Sequence, residues 1–170
     1  GDVTVEPIAV HHWTERYEAL RFDTERYIKE TGKNIEVFLA NMGPIPQHKA
    51  RADFSTSFLQ VGEFNVHLND GFQDGEDGTA IEKCVKAAAA EHYDVAVICS
   101  TDATYPEIVP ALAPELKKVL PEGATLFLAG AAPKDLEEQY RAAGVDDFIS
   151  VSANCYEILR MLQKKKGMIE

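Results

Sequence analysis

Ile35-Glu36-Val37-Phe38-Leu39-Ala40 is an apolar run of strand length, and Asn41-Met42-Gly43-Pro44-Ile45-Pro46-Gln47-His48 closes it. Beyond that loop the apolar positions change period, with Phe54, Phe58 and Val61 at helical spacing. A short apolar run ended by Gly and Pro and followed by a helical pattern is the repeating unit of an α/β protein. The unit recurs to the end of the chain. Strand-like runs fall at 35–40, 64–68, 95–100, 125–129 and 147–151. Between and after them, helical patterns are marked by Ile81, Cys84, Val85 and Ala88, by Ile108, Leu112, Leu116 and Val119, by Leu136, Tyr140 and Ala143, and by Ile158, Leu159 and Leu162.

Five strands alternating with five helices predict a parallel sheet covered on both faces. Right-handed crossovers leave few topologies, and the expectation is a flavodoxin-like, doubly wound α/β fold of strand order 2-1-3-4-5. Residues 34–170 form this domain. Residues 1–33 read as a linker segment with one helix, whose stripe Trp13, Tyr17, Leu20, Thr24 and Tyr27/Ile28 must pack on the domain or on a partner. Gly32 ends that helix. In the third helix of the domain, Pro106 suits a first turn, whereas Pro114 is expected to kink or interrupt it.

A chain of 170 residues fits one domain, and it opens on Gly1 rather than Met, as expected of a piece of a longer protein. The formal net charge of −11 opposes non-specific binding to nucleic acid or an anionic membrane. No apolar stretch of about 18 residues and no signal peptide are present. Cys84, Cys99 and Cys155 cannot all pair and match no zinc spacing, which points to a reducing compartment.

In a doubly wound sheet ligands bind at the carboxyl ends of the strands. The loops that matter are 41–48, 69–78, 100–105, 130–133 and 152–154. A phospho-accepting receiver would need acidic side chains after strand 1 and a Lys after strand 5, but Asn41-Met42 and Ser150-Val151 stand there. Pro44 and Pro46 remove donors that a flavin phosphate loop requires. No Gly-x-x-x-x-Gly-Lys-Ser/Thr occurs. Asp70, Asp74, Glu76 and Asp77 lack calcium-loop spacing and read as a solvated acidic loop. His11, His12, His67 and His92 are scattered, and Ser100 lacks a nucleophile elbow. A small enzyme or sensor using Ser100, Thr101 and Asp102 remains a separate reading, against which a polar strand terminus is the plainer one.

Three phrases carry a resemblance: Phe38-Leu39-Ala40-Asn41-Met42-Gly43-Pro44 with His48-x-x-Arg51-Ala52-x-Phe54, then Val97-Ile98-Cys99-Ser100-Thr101-Asp102-x-Thr104-Tyr105-Pro106, then Phe127-Leu128-Ala129-Gly130. Together they resemble the carboxyl-terminal, cobalamin-binding-like domain of the small (beta) subunit of adenosylcobalamin-dependent methylmalonyl-CoA mutase. Such mutases are similar in plan, with an acyl-CoA-binding barrel followed by a cobalamin domain, and the large subunit is the catalytic one. The resemblance makes residues 1–33 the linker from the barrel.

In the related cobalamin domains the first loop carries Asp-x-His-x-x-Gly, whose His ligates cobalt, and no Asp of this chain has a His two residues later. Aligned on Ser55-Thr56-Ser57-Phe58, the ligand position falls on Gln47, its Asp on Ile45 and its Gly on Ala50. His48 is one residue away and has Pro46 where the orienting Asp belongs. The family's Ser-x-Leu falls on Cys99-Ser100-Thr101, with Asp102 next to it, and its paired glycines fall on Ala129-Gly130. Asp102 would put a carboxylate beside a pocket for a neutral base, where an unpaired buried charge is costly. The methyl of Ala129 narrows a slot that needs close backbone approach.

The resemblance therefore implies a degenerate, structural domain without catalytic residues, metal or bound cofactor. Adenosylcobalamin would sit in the large-subunit partner of a heterodimer interconverting methylmalonyl-CoA and succinyl-CoA. A bacterial cytoplasm is the expected setting, with the mitochondrial matrix as the other. The alternative is a working cobalamin domain or corrinoid carrier with His48 as an unusual cobalt ligand.

Overall fold

The computed structural model describes residues 6–170, with side chains from Thr14 onward. Helix α1 (Glu6–Thr31) leads into strand β1 (Glu36–Asn41), helix α2 (Ile45–Gln60) and strand β2 (Asn65–His67). Then follow α3 (Ala80–Ala89), β3 (Val95–Cys99), α4 (Tyr105–Val119), β4 (Thr125–Ala129), α5 (Lys134–Ala143), β5 (Asp147–Ile149) and α6 (Cys155–Lys166). The strands form one parallel sheet in the order β2-β1-β3-β4-β5, as the alternating pattern predicts.

The period of two along β1 divides its side chains between two cores. Val37 and Leu39 pack with Leu59 of α2 and Leu159 of α6 on one face. Phe38 and Ala40 pack with Ala88 of α3, Leu112 of α4 and Tyr140 of α5 on the other. β3 and β4 are buried at every position, as expected of central strands covered on both faces.

Helix α1 belongs to the first of these layers. Tyr17, Leu20 and Thr24 of the expected stripe are buried, while the side chain of Trp13 lies outside the described residues. Gln163 of α6 is fully buried and donates to Leu20 O (2.8 Å) and Thr24 Oγ1 (2.9 Å). Arg160 pairs with Asp23 at 2.6 Å. The helix ends at Gly32, which adopts φ +72° and donates to Ile28 O at 2.7 Å.

The expected interruption at Pro114 does not occur: α4 runs unbroken through Pro110 and Pro114. Pro106, Pro110 and Pro114 recur every four residues on the outer side of the helix. Pro106 and Pro110 are exposed and Pro114 is half-buried, while Val109, Leu112 and Leu116 hold the inner side.

Candidate functional site

The sheet reverses its order between β1 and β3, where Asn41 lies beside Cys99. At this switch point the first loop is drawn tightly against its neighbours. Met42 N donates to Cys99 O (3.0 Å) and Gly43 N to Phe72 O (2.9 Å). Pro44 caps α2 in an extended conformation, with Pro46 in the first turn.

Gln47, at the position carried over from the cobalt ligand, reaches across the switch point. Its Nε2 donates to Ser100 Oγ (2.9 Å) and to Thr104 Oγ1 (3.1 Å), and Ser100 Oγ donates on to Met42 O (3.1 Å). Gly43 makes room for it: a Cβ there would lie 2.6 Å from the Gln47 amide, and φ is +89°. The hydroxyls of Thr101 and Thr104 are 2.6 Å apart. Gln47, Ser100, Thr101 and Thr104 thus form one closed network.

The largest feature is a residue to which the sequence reading gave no role. Arg51, on the second turn of α2, lays its guanidinium over the ends of β3 and β4. Nη1 donates to Ala129 O at 2.8 Å and Nη2 to Asp102 Oδ1 at 2.9 Å. Tyr105 stands beneath it, its hydroxyl donating to Ala129 O (2.6 Å) and accepting from Ser100 N (3.0 Å). Burial pulls the Arg51 pKa down, but the bonds to Asp102 and Tyr105 outweigh it and the net shift is upward. Asp102 is therefore paired rather than stranded, and its side chain is 69% exposed. Gly130, at φ +123°, is the floor under the guanidinium. An open hollow of about 390 Å³ remains beside it, with Arg51, Phe54, Asp102, Gly130 and Val151 in its wall.

His48 turns away from this centre. It is 3% exposed, its Nδ1 lies 3.0 Å from Gly43 O, and Gly71 packs directly on its ring. Cys99 is buried under Ser55, and burial, only partly opposed by the Ser55 bond and the Arg51 charge, pushes its thiol up to about 12. It is a core residue. Among the described residues no group of three His, Cys, Asp or Glu side chains could hold a metal ion.

The ligand position carries an amide already engaged by two hydroxyls, the neighbouring imidazole is folded inward, and an ion pair lies across the slot above Gly130. Gln47, Ser100 and Thr104 bond to one another here, and Arg51 bonds to Asp102.

The chain is 30% identical over 165 residues to the methylmalonyl-CoA mutase small subunit of Porphyromonas gingivalis, a match covering 97% of this chain and 24% of that protein. It is homologous to methylmalonyl-CoA mutase small subunits. A second small subunit, from Streptomyces virginiae, is 33% identical over 135 residues, 78% of this chain and 20% of that protein. The chain thus spans a fifth to a quarter of the length of the curated relatives it matches. No family model matches it.

Among solved structures it is similar to the receiver domain of a sensor histidine kinase from Pseudomonas aeruginosa (TM-score 0.53, 18% identity, 79% of this chain and 99% of that one). A receiver domain protein from Methanospirillum hungatei is similar too (TM-score 0.51, 15% identity, 80% and 97%). At such identities these neighbours establish the flavodoxin-like fold and no function. Among the described residues no helix is long and apolar enough to cross a membrane.

Proposed function

We propose that this chain is the cofactor-free, carboxyl-terminal domain of the small subunit of a heterodimeric methylmalonyl-CoA mutase. Its role is assembly and support of the catalytic large subunit, which holds adenosylcobalamin and interconverts methylmalonyl-CoA and succinyl-CoA. The cofactor carries the radical chemistry in that partner, and no residue of this domain takes part. Residues 1–33 then link the domain to a preceding barrel. A bacterial cytoplasm suits the three free cysteines.

The observation that carries the reading is the Arg51–Asp102 pair, seated on Ala129 O and Gly130 where the resemblance puts the cofactor's nucleotide tail. Gln47 in place of the ligand histidine points the same way.

Titration of the chain with adenosylcobalamin, followed by visible absorption, tests it. The expected result is no spectral change at high micromolar cofactor, together with loss of large-subunit stability or activity when the small subunit is withheld. A shift characteristic of histidine ligation, abolished by His48→Ala, would instead make the domain a cobalamin carrier. Full activity of the large subunit alone would remove the assembly role.

A further inference from the structure

The parallel topology brings four segments to one open hollow of about 390 Å³ at the carboxyl end of the sheet. Arg51 and Phe54 come from α2, Asp102 from the loop after β3, Gly130 from the loop after β4 and Val151 from the loop after β5. Among the described residues Arg51 and Asp102 are the only charged ones in its wall. Val151 is 90% exposed and Phe54 is half-buried, so both offer apolar surface to whatever enters.

The two charges touch without being used up. They meet through one contact, Arg51 Nη2 to Asp102 Oδ1. Nη1 is held by Ala129 O, which anchors the guanidinium over Gly130. Arg51 Nε and Asp102 Oδ2 have no hydrogen-bond partner among the described residues, and the Asp102 side chain is largely exposed. Ser150 and Ser152, also in the wall, hold their hydroxyls 3.0 Å apart. Two hydroxyls carry two donors, and the bond between them spends one. A singly charged guest would meet an opposite and a like charge side by side, 2.9 Å apart, so attraction and repulsion nearly cancel. A guest that carries both charges at a similar spacing can lie antiparallel to the pair and gain from each.

We propose that this hollow binds a free α-amino acid with a small aliphatic side chain. Its carboxylate accepts from the Arg51 guanidinium and the spare serine hydroxyl, its ammonium donates to Asp102, and its side chain covers Phe54 and Val151. Asp102 is then the residue that selects a zwitterion over a simple carboxylate. The site uses the ion pair that also supports the cofactor-free reading, but the two fail separately: amino-acid binding is read without cobalamin, and cobalamin binding without an amino acid.

Titrating the ¹⁵N-labelled chain with L-valine, isovalerate and isobutylammonium tests the assignment, because the last two are valine without its ammonium and without its carboxylate. L-Valine is expected to give saturable amide shifts at millimolar concentration, confined to residues 50–54, 101–103, 129–131 and 149–152, with neither analogue saturating over the same range. Asp102→Asn, at an exposed position, should weaken valine about tenfold and strengthen isovalerate, since it removes one charge from the pair. Val151→Ser, also exposed, should weaken valine severalfold. The proposal is overturned if L-valine does not saturate, if either analogue binds as tightly, or if both variants bind valine unchanged.

Discussion

Arg51 and Gly130 are fitted to each other: a Cβ at position 130 would lie 2.4 Å from Arg51 Nη1 and 3.0 Å from its Cζ. The guanidinium rests on a backbone that only glycine accommodates at φ +123°, and it donates to the carbonyl of the preceding residue, Ala129. Gly130→Ala therefore combines backbone strain with displacement of the ion pair and should cost about 1–3 kcal/mol. The steric part disappears if the guanidinium is absent. A urea-denaturation cycle of Gly130→Ala, Arg51→Ala and the double variant should show non-additivity of at least about 0.5 kcal/mol. Additive effects would mean that the two residues do not share the crevice.

Gln47→His restores an imidazole at the position carried over from the cobalt ligand, yet it restores neither the Asp two residues before it nor the open slot. Ile45 stands at the Asp position, and Arg51 and Asp102 stay in place. The variant should leave the visible spectrum of added cobalamin unchanged and should lose about 1 kcal/mol of stability with the two amide bonds to Ser100 and Thr104. A histidine-type spectral shift in this single variant would show that the crevice opens to the cofactor despite its ion pair.

Much of the fold was legible because burial on both faces leaves a plain mark. The run at 125–129 coincides with β4, since central strands are apolar at every position. The edge strands are shorter than their runs: Phe64 and Leu68 fall outside β2, where Asn69 rather than a strand completes the edge. Pro114 misled because proline was weighed without its helical phase; spacing of four residues keeps all three prolines of α4 on its outer side. The site was legible only in its absences. Gln47, Ser100 and Thr104 are joined by hydrogen bonds, and Arg51 joins Asp102 to the Ala129 carbonyl. Arg51 stands in one of the phrases that carry the resemblance, but a lone arginine in a helix has no sequence pattern that names its partner. Its partner Asp102 lies 51 positions away, and the signal would have been a new carboxylate and a retained glycine reached from the same turn of α2.

Gln163 joins α1 to α6 through bonds that no water reaches. Its Nε2 donates to Leu20 O and Thr24 Oγ1, and its Oε1 accepts from Arg160 Nη1 at 3.0 Å. Gln163→Leu removes one partner each from Leu20 O, Thr24 Oγ1 and Arg160, which keeps Asp23, and should destabilise the chain by about 1–3 kcal/mol. Because Leu20 belongs to the core cluster of β1 and α2, the loss should be global rather than a local detachment of α1. Hydrogen exchange decides: amides of α1 and of β1 should accelerate together. Acceleration confined to α1 would make the helix a separable appendage.

Glu63 gives stability a pH dependence. It sits in the left-handed region at φ +62° between α2 and β2, and its carbonyl accepts from Asn34 Nδ2 at 2.9 Å. Its carboxyl pKa is raised, first by burial and then by the hydrogen bond and charge of Glu25 on α1, with Arg21 opposing. The folded state therefore holds this proton more tightly than the unfolded chain, whose Glu titrates near its ordinary value of about 4.3. As pH rises from that value through the raised folded pKa, stability contributed by the shared proton is lost, and above it the two carboxylates repel. Glu63→Gln keeps a donor toward Glu25 and removes the titration. Thermal melts across about pH 4 to 7 should then show a flatter profile and a higher melting temperature near neutrality than the parent chain. Parallel profiles for the two proteins would show that Glu25 and Glu63 do not share a proton in the folded state.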